Sequence, residues 1–238
     1  MKGFILLIAF ILILLGCKSN QDTAKVKLHN SYYQKTDSLI KKGNFYLSNE
    51  DSFANSLAIF KEAQNLAKKY NYISGIVTSS YKIGYIYSAQ SNVTFASENL
   101  YLSLKNAELL KDSSSMAQAL AGLGLVMFNM NKWNSALSYF KKASVIHNSQ
   151  KQEKQAKNLI QYLSGLCYYH LQDYKKANQL LEESKKLAVL EQNEMRIYEI
   201  RLYLNHIKLI GGIDKNILLE YDTLLKKFKD KKEKVGAC

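Results

Sequence analysis

Few residues of this chain have the chemistry to act on a substrate, and their spacing assembles no reaction centre. The four histidines, His29, His147, His170 and His206, share no metal-ligand spacing and no HExxH frame. Cys167 sits among Leu166, Tyr168 and Tyr169, the setting of a buried free thiol and not of a nucleophile. Gly122-Leu123-Gly124 is a GxG, but it falls inside a helix-period run, where glycines serve helix packing and not a phosphate. No paired carboxylates share one face of an apolar helix, so general acid–base catalysis lacks its groups. The expectation is a protein that is not an enzyme, holds no metal or cofactor, and takes no small-molecule substrate. What the chain does have is 17 Tyr and 9 Phe, residues suited to contact and not to reaction.

Such aromatic content also excludes disorder, and 47% hydrophobic residues in 238 suffice to pack one domain or one repeat array. Three cysteines without a CxxC pair exclude a disulfide scaffold and a structural zinc site. The formal charge is +13, but the 33 Lys and Arg are spread along the whole chain, not gathered into a stripe. The composition, rich in Lys, Asn, Ile and Tyr and free of proline, is that of an AT-rich coding sequence. A solvated lysine-rich surface is expected, and no nucleic-acid partner.

The N-terminus is an address. Lys2 precedes an unbroken apolar run from Phe4 to Leu15. As a helix those residues cover about 18 Å, too short for a hydrocarbon core of about 30 Å, but they fit the apolar part of a secretory signal. Leu14-Leu15-Gly16-Cys17 follows. It resembles a bacterial lipobox, in which a small residue precedes a cysteine that is acylated and becomes the new N-terminus; Leu15 is bulkier than is usual there. The resemblance implies a signal peptide over 1–16, lipidation (palmitate) at Cys17 and a linker over 17–29. Lys18 in place of Asp, and the absence of an acidic cluster in Ser19-Asn20-Gln21-Asp22, imply an outer-membrane position facing the periplasm.

From there the chain repeats. Tyr81-Lys82-Ile83-Gly84 leads to Ala96 and Leu100; Ala121-Gly122-Leu123-Gly124 to Ala136, Phe140 and Ala143; and Tyr162-Leu163-Ser164-Gly165 to Ala177, Leu181 and Ser184. The spacing from Gly84 to Gly124 is 40 residues and from Gly124 to Gly165 is 41. Two antiparallel helices crossing at the glycine and the alanine need small residues there, and the larger apolar residue fills the gap to the next pair. Stepping by 40 finds atypical copies at both ends, as terminal repeats should be. One has Ser56, Phe60 and Ala63 with Asn44 in the glycine's place; the other has Asn205, Ile217 and Tyr221. Breaks fall at Gln90-Ser91-Asn92, Asn129-Met130-Asn131 and Gln172-Asp173, with Asn131 and Asp173 as expected N-caps.

These residues resemble the tetratricopeptide repeat (TPR): a small residue at position 8, Ala at 20, an aromatic or Leu at 24, a small residue at 27. The period of 40–41 exceeds the family's 34, and its closing proline is missing. The resemblance implies an all-α fold, a right-handed α-α superhelix of about five helix pairs over 30–230, before a basic tail at 231–238. Long repeats on a lipoprotein signal resemble those of a Gram-negative, Bacteroidetes-like bacterium.

In the family the first helix of each pair lines a concave groove through positions 2, 5, 9, 12 and 13. Carried onto this chain, those positions give Tyr81 and Tyr85 with Thr78, Ser88 and Ala89. The next repeat gives Gln118, Phe128 and Asn129 with Ala121 and Leu125, and the third gives Tyr162, Tyr169 and His170 with Leu159 and Leu166. The last gives Glu199, Leu202 and His206. An aromatic groove with amide and hydroxyl edges suits a peptide or protein partner with apolar anchors. The Lys and Asn of a chaperone-tail clamp are not at positions 5 and 9. The resemblance therefore implies a membrane-anchored, non-catalytic scaffold or adaptor that binds a protein or peptide at the cell envelope. The other reading is a stand-alone or truncated sensory half of an envelope signalling regulator, in line with an end at Cys238. An uptake helper for glycans would need long loop insertions, and the connections are short. The run Lys226-Lys227-Phe228-Lys229-Asp230-Lys231-Lys232-Glu233-Lys234 is expected as a solvated helix end, with attraction to anionic headgroups as the sharper reading.

Overall fold

In the computed structural model the residues described are 29–48, 53–150, 154–212 and 214–236. The signal segment 1–16, Cys17 and most of the linker, and Cys238, lie outside them. Among the described residues the chain is helical throughout. Helix α1 spans 29–47, followed by α2 (Phe53–Lys69), α3 (Ile73–Ala89), α4 (Val93–Leu110) and α5 (Ser113–Asn129). Then come α6 (Trp133–Gln150), α7 (Lys154–His170), α8 (Tyr174–Leu190), α9 (Glu194–Gly211) and α10 (Lys215–Gly236). Each helix packs on the next, and α3 also meets α5, as α5 meets α7. That is an all-α superhelix of five antiparallel pairs, with the first helices stacked side by side. No described helix is long and apolar enough to cross a membrane.

With no proline to stop a helix, the breaks are made by the backbone. Asn71, Ser91, Lys111, Asn131, Gln172 and Gln192 all take the left-handed conformation, φ between 53° and 61°. At Ser91, for example, the Ser91 N–H reaches the Ser88 carbonyl at 3.1 Å and the Asn92 N–H reaches Tyr87 at 2.8 Å, closing the helix end. The next residue then starts the following helix. Asn92, Asp112, Asp173 and Asn193 each accept the N–H three residues on. Asp173 is thus the expected N-cap. Asn131 is not: it holds the left-handed turn position at φ 58°, and Lys132 precedes α6. Position and not residue type decides this: each left-handed residue stands one place before the residue that starts the next helix, and Lys111 takes the same conformation before Asp112.

The crossing residues predicted from the repeat are the core. Phe60, Leu100, Phe140 and Leu181 are wholly buried, as are Ala63, Ala96, Ala136, Ala143 and Ala177. Ser103 and Ser184 stand where other pairs have Ala63 and Ala143, and each hydroxyl adds a bond to a first-helix carbonyl, Val77 at 2.9 Å and Asn158 at 3.4 Å. In the first pair the small residue facing Phe60 is Gly43, not Asn44: a Cβ there would lie 2.6 Å from the Phe60 ring. From Gly43 to Phe60 is one residue more than from Gly84 to Leu100: the stretch between helices is two residues longer, and Gly43 stands one residue nearer the end of its helix. The last helix continues through Gly236, so the basic run from Lys226 rides on its second half.

Candidate functional site

Three features line the face built by the first helices. Between α3 and α5, Tyr85 is exposed and, with Ser88, Ala89, Ser91, Leu125 and Asn129, surrounds an open cavity of about 430 Å³. The Asn129 amide donates to the Ser88 carbonyl at 3.3 Å, tying the two helices at that end. Tyr81, one turn earlier, packs on Ala96, Leu100, Leu123 and Val126, and burial raises its hydroxyl above the ordinary tyrosine range. Its ring therefore serves the joint between pairs. Gln118 is half-buried on α5 and lines none of these cavities.

Between α5 and α7 the opening is filled by rings. Trp133 stacks on His170 with centroids 4.3 Å apart and planes 10° apart, and Phe128 meets Trp133 edge-on at 5.0 Å. Burial lowers the pKa of His170, so the imidazole in the stack is neutral at pH 7. Phe128 and His170 thus close this stretch together with a tryptophan from a second helix.

Between α7 and α9 the face opens again, over about 470 Å³ lined by Tyr162, Tyr169, Glu199, Leu202, Tyr203, His206 and Tyr221. Two rungs cross it. The Tyr162 hydroxyl donates to Glu199 at 3.2 Å, and the Tyr169 hydroxyl lies 2.8 Å from His206 Nδ1. Both pairs are 37 residues apart and the rungs are two helical turns apart, so they hold α7 and α9 in one fixed register. Arg196 lays its guanidinium 4.0 Å over the Tyr162 ring and points Nε at Glu199 at 3.5 Å. Tyr162 is almost wholly buried, and burial first, then the Glu199 charge, raises its pKa. Tyr169 and Tyr203 meet edge-on at 5.0 Å, and burial raises both hydroxyls. The phenols of Tyr162, Tyr169 and Tyr203 are therefore held in their neutral form. The site offers ring faces, hydroxyl edges and one carboxylate already shared with an arginine.

The structure thus brings Tyr162 and Tyr169 together with Glu199, Leu202 and His206, and places Tyr85 and Asn129 in a separate, shallower cavity. Tyr203 and Arg196 were not among the expected groove residues. Nothing in the repeat template marks them, because it assumes that successive first helices stand level, whereas the rungs join residues three short of the 40-residue period.

No described cluster of His, Cys, Asp and Glu is arranged to hold a metal ion. Cys167, on α7 behind this wall, is wholly buried, and burial alone pushes its thiol up to about 12. The folded protein is expected to resist alkylation by iodoacetamide at Cys167 at pH 8 and to react fully once unfolded in urea, as read by peptide mass spectrometry. Native modification at the rate of a free thiol would contradict this burial.

No protein-family model matches the chain, and no curated protein matches it in sequence. Solved structures do resemble it. The apo form of RapI is similar with a TM-score of 0.66 at 15% identity, over 84% of this chain and 73% of that one. A Rap protein complexed with competence and sporulation factor gives 0.62 at 15% identity, over 81% of this chain and 54% of that one. A signal transduction ATPase with a tetratricopeptide repeat sensor, from Pyrococcus horikoshii, gives 0.64 at 14% identity, over 82% and 30%. At such identities the likeness establishes the tetratricopeptide-like fold and no more.

Proposed function

We propose that this protein is a non-catalytic adaptor that holds an extended peptide or a peptide-like segment of a partner protein against its first helices, with its main site between α7 and α9. The observation that carries this is the opening held at fixed width by the Tyr162–Glu199 and Tyr169–His206 rungs. Rigid aromatic faces beside hydroxyl groups give contact area at little entropy cost. From Asn158 to Tyr169, α7 offers about 16 Å of wall, the length of about five extended residues. A Rap protein of the same fold has been crystallised with a factor bound, which supports a ligand-holding role for such an array. Lipidation at Cys17 would supply position, keeping the array on the cell envelope, in the outer membrane facing the periplasm, while the groove supplies specificity.

The rival surface lies between the second helices α4 and α6, across the start of α5. There Tyr101, Leu104, Met116, Leu120, Tyr139 and Val145 line a more apolar cleft of about 600 Å³. A photo-crosslinking residue placed in the cell at Leu202, in the α7–α9 opening, is expected to capture a protein or peptide. The same residue at Val145 is expected not to. Capture at Val145 alone would move the binding surface to the second helices and refute the groove assignment.

A further inference from the structure

The cleft between α4 and α6 differs from the joints on either side of it in a way the fold does not require. In the α2–α4 joint the Gln64 amide donates to Ser80 Oγ at 2.9 Å and to Asn99 Oδ1 at 3.0 Å, and Lys68 donates to the Gln64 oxygen at 3.0 Å. In the α6–α8 joint the Gln161 amide donates to Glu183 at 2.9 Å. Stepping by 40 puts Leu104 in the place of Gln64, Leu120 in that of Ser80 and Tyr139 in that of Asn99, and Gln161 stands 41 residues after Leu120. The same backbone arrangement is thus sealed by amides on both sides and left apolar in between, over about 600 Å³ with Met116 and Leu120 among its walls. The cleft can be reached from outside: Tyr101 is 48% exposed and Val145 64%, and Lys141 and Lys142 are exposed on the same wall as Val145. An apolar hollow at the surface, where the neighbouring repeats have none, marks a ligand site.

Its two ends differ in charge. The Tyr101 and Tyr139 hydroxyls meet at 2.6 Å across the cleft. That bond first, then burial, raises the Tyr139 pKa to about 12, so the phenol keeps its proton at pH 7. Whichever hydroxyl donates to the other, one O–H is left to donate outward. Lys142 Nζ stands 5.7 Å from the centre of the Tyr139 ring, and Lys141 lines the same cavity. Glu108, seven residues beyond Tyr101 and so about 10 Å along α4, lies toward the other end. The result is a short apolar trough with hydroxyl and ammonium donors at one end and a carboxylate at the other.

We propose that this cleft binds one single-chain anionic amphiphile, a free fatty acid. Its carboxylate accepts from the Tyr101–Tyr139 pair and faces Lys141 and Lys142, and its alkyl chain lies along Leu104, Leu120 and Met116. Glu108 repels the carboxylate from the far end and so fixes the direction of the chain. Other occupants fit less well. A peptide brings N–H and carbonyl groups that Leu104, Leu120 and Met116 cannot bond, and burying them unbonded is costly. A second copy of this chain would present the same hollow, and two hollows facing each other fill neither. The site is separate from the α7–α9 groove, and its ligand does not depend on what that groove holds.

The probe is decanoate with a diazirine at its methyl end, irradiated with the purified full-length protein and mapped by peptide mass spectrometry. With the head held at the tyrosines, saturable labelling is expected in the stretch 104–120. Unlabelled decanoate is expected to compete at about tenfold lower concentration than decanol or decylammonium, the worth of one charge-assisted hydrogen bond. Lys141→Gln/Lys142→Gln keeps the apolar walls and is expected to weaken decanoate about fivefold while leaving decanol unaltered. Leu104→Gln/Tyr139→Asn copies the α2–α4 joint and is expected to abolish the saturable labelling. Circular dichroism shows whether that variant folds, and the exposed lysine pair carries the test if it does not. Equal competition by decanol and decylammonium overturns the proposal, as does labelling spread evenly along the chain or none that saturates. Labelling unaltered in both variants overturns it too. Crosslinking of Val145 to a second copy or to another protein would make the cleft a protein interface, with the same consequence.

Discussion

Phe140→Ala is expected to lower the stability of the folded chain by about 3–5 kcal/mol, the cost of emptying a closed aromatic site in a core. Unfolding in urea followed by circular dichroism measures it. Phe140 is 1% exposed and belongs to the cluster that joins Leu120 of the same pair to Leu163, Leu166 and Leu181 of the next and Ile200 of the last. Its loss therefore weakens a joint between repeats as well as the packing inside one. Because repeat arrays gain stability from neighbouring interfaces, the transition is expected to broaden or split, with the pairs before α6 and after it no longer melting together. A loss below about 1 kcal/mol would mean that the ring does not carry the joint.

The same ring fixes the sign of a second substitution. A Cβ on Gly124 would stand 2.5 Å from the Phe140 ring. Gly124→Ala gains up to about 1 kcal/mol of helix propensity, but forcing that contact in a closed core costs about 1–3 kcal/mol, so the single variant is destabilised. In the Phe140→Ala background the space exists, and the same change should stabilise. That reversal of sign in one double-mutant cycle separates crowding at the crossing from a general intolerance of α5 to substitution.

The register of small residues was legible because its physical cause is local and repeated: two backbones cannot approach at Gly84 and Ala96, or at Gly124 and Ala136, past anything larger. Where that cause was absent, the reading slipped by one. The expected position falls on Asn44 and not Gly43 because a constant step of 40 ignores the one residue by which Gly43 to Phe60 exceeds Gly84 to Leu100. Lys132 was passed over as a helix start because neither its side chain nor that of Asn131 announces which of them takes positive φ. The site was half legible. Tyr162, Tyr169, Glu199 and His206 fell out of the repeat positions, and their side chains meet across one opening. Tyr203 and Arg196 did not, since their places depend on the stagger between α7 and α9, a quantity set by packing over the whole pair. Tyr81 shows the converse. It holds a groove position in the template, yet its ring packs against the buried cluster that contains Leu100, Leu123 and Val126.

The proposed lipid anchor at Cys17 carries the other large expected effect. Cys17→Ala should abolish acyl labelling in the cell and release the protein from the membrane fraction, because each buried methylene of an acyl chain contributes about 0.8 kcal/mol and two or more chains hold a protein almost permanently. Two forces could disguise that release, and salt separates them. A chain with 33 basic and 20 acidic residues is attracted to anionic headgroups, and the lysines that begin at Lys226 extend that attraction along the last helix. Such binding is screened at high ionic strength, where the Debye length falls to about 3 Å at 1 M salt, whereas acyl insertion is not. The native protein should therefore stay with the membrane through a 1 M salt wash, about seven times physiological ionic strength, and the Cys17→Ala variant should leave it. If the variant remains after that wash, the apolar run from Phe4 to Leu15 is still attached and acts as the anchor itself. Retention together with undiminished acyl labelling would place the lipid on another residue and remove Cys17 from the account of how this array is held in place.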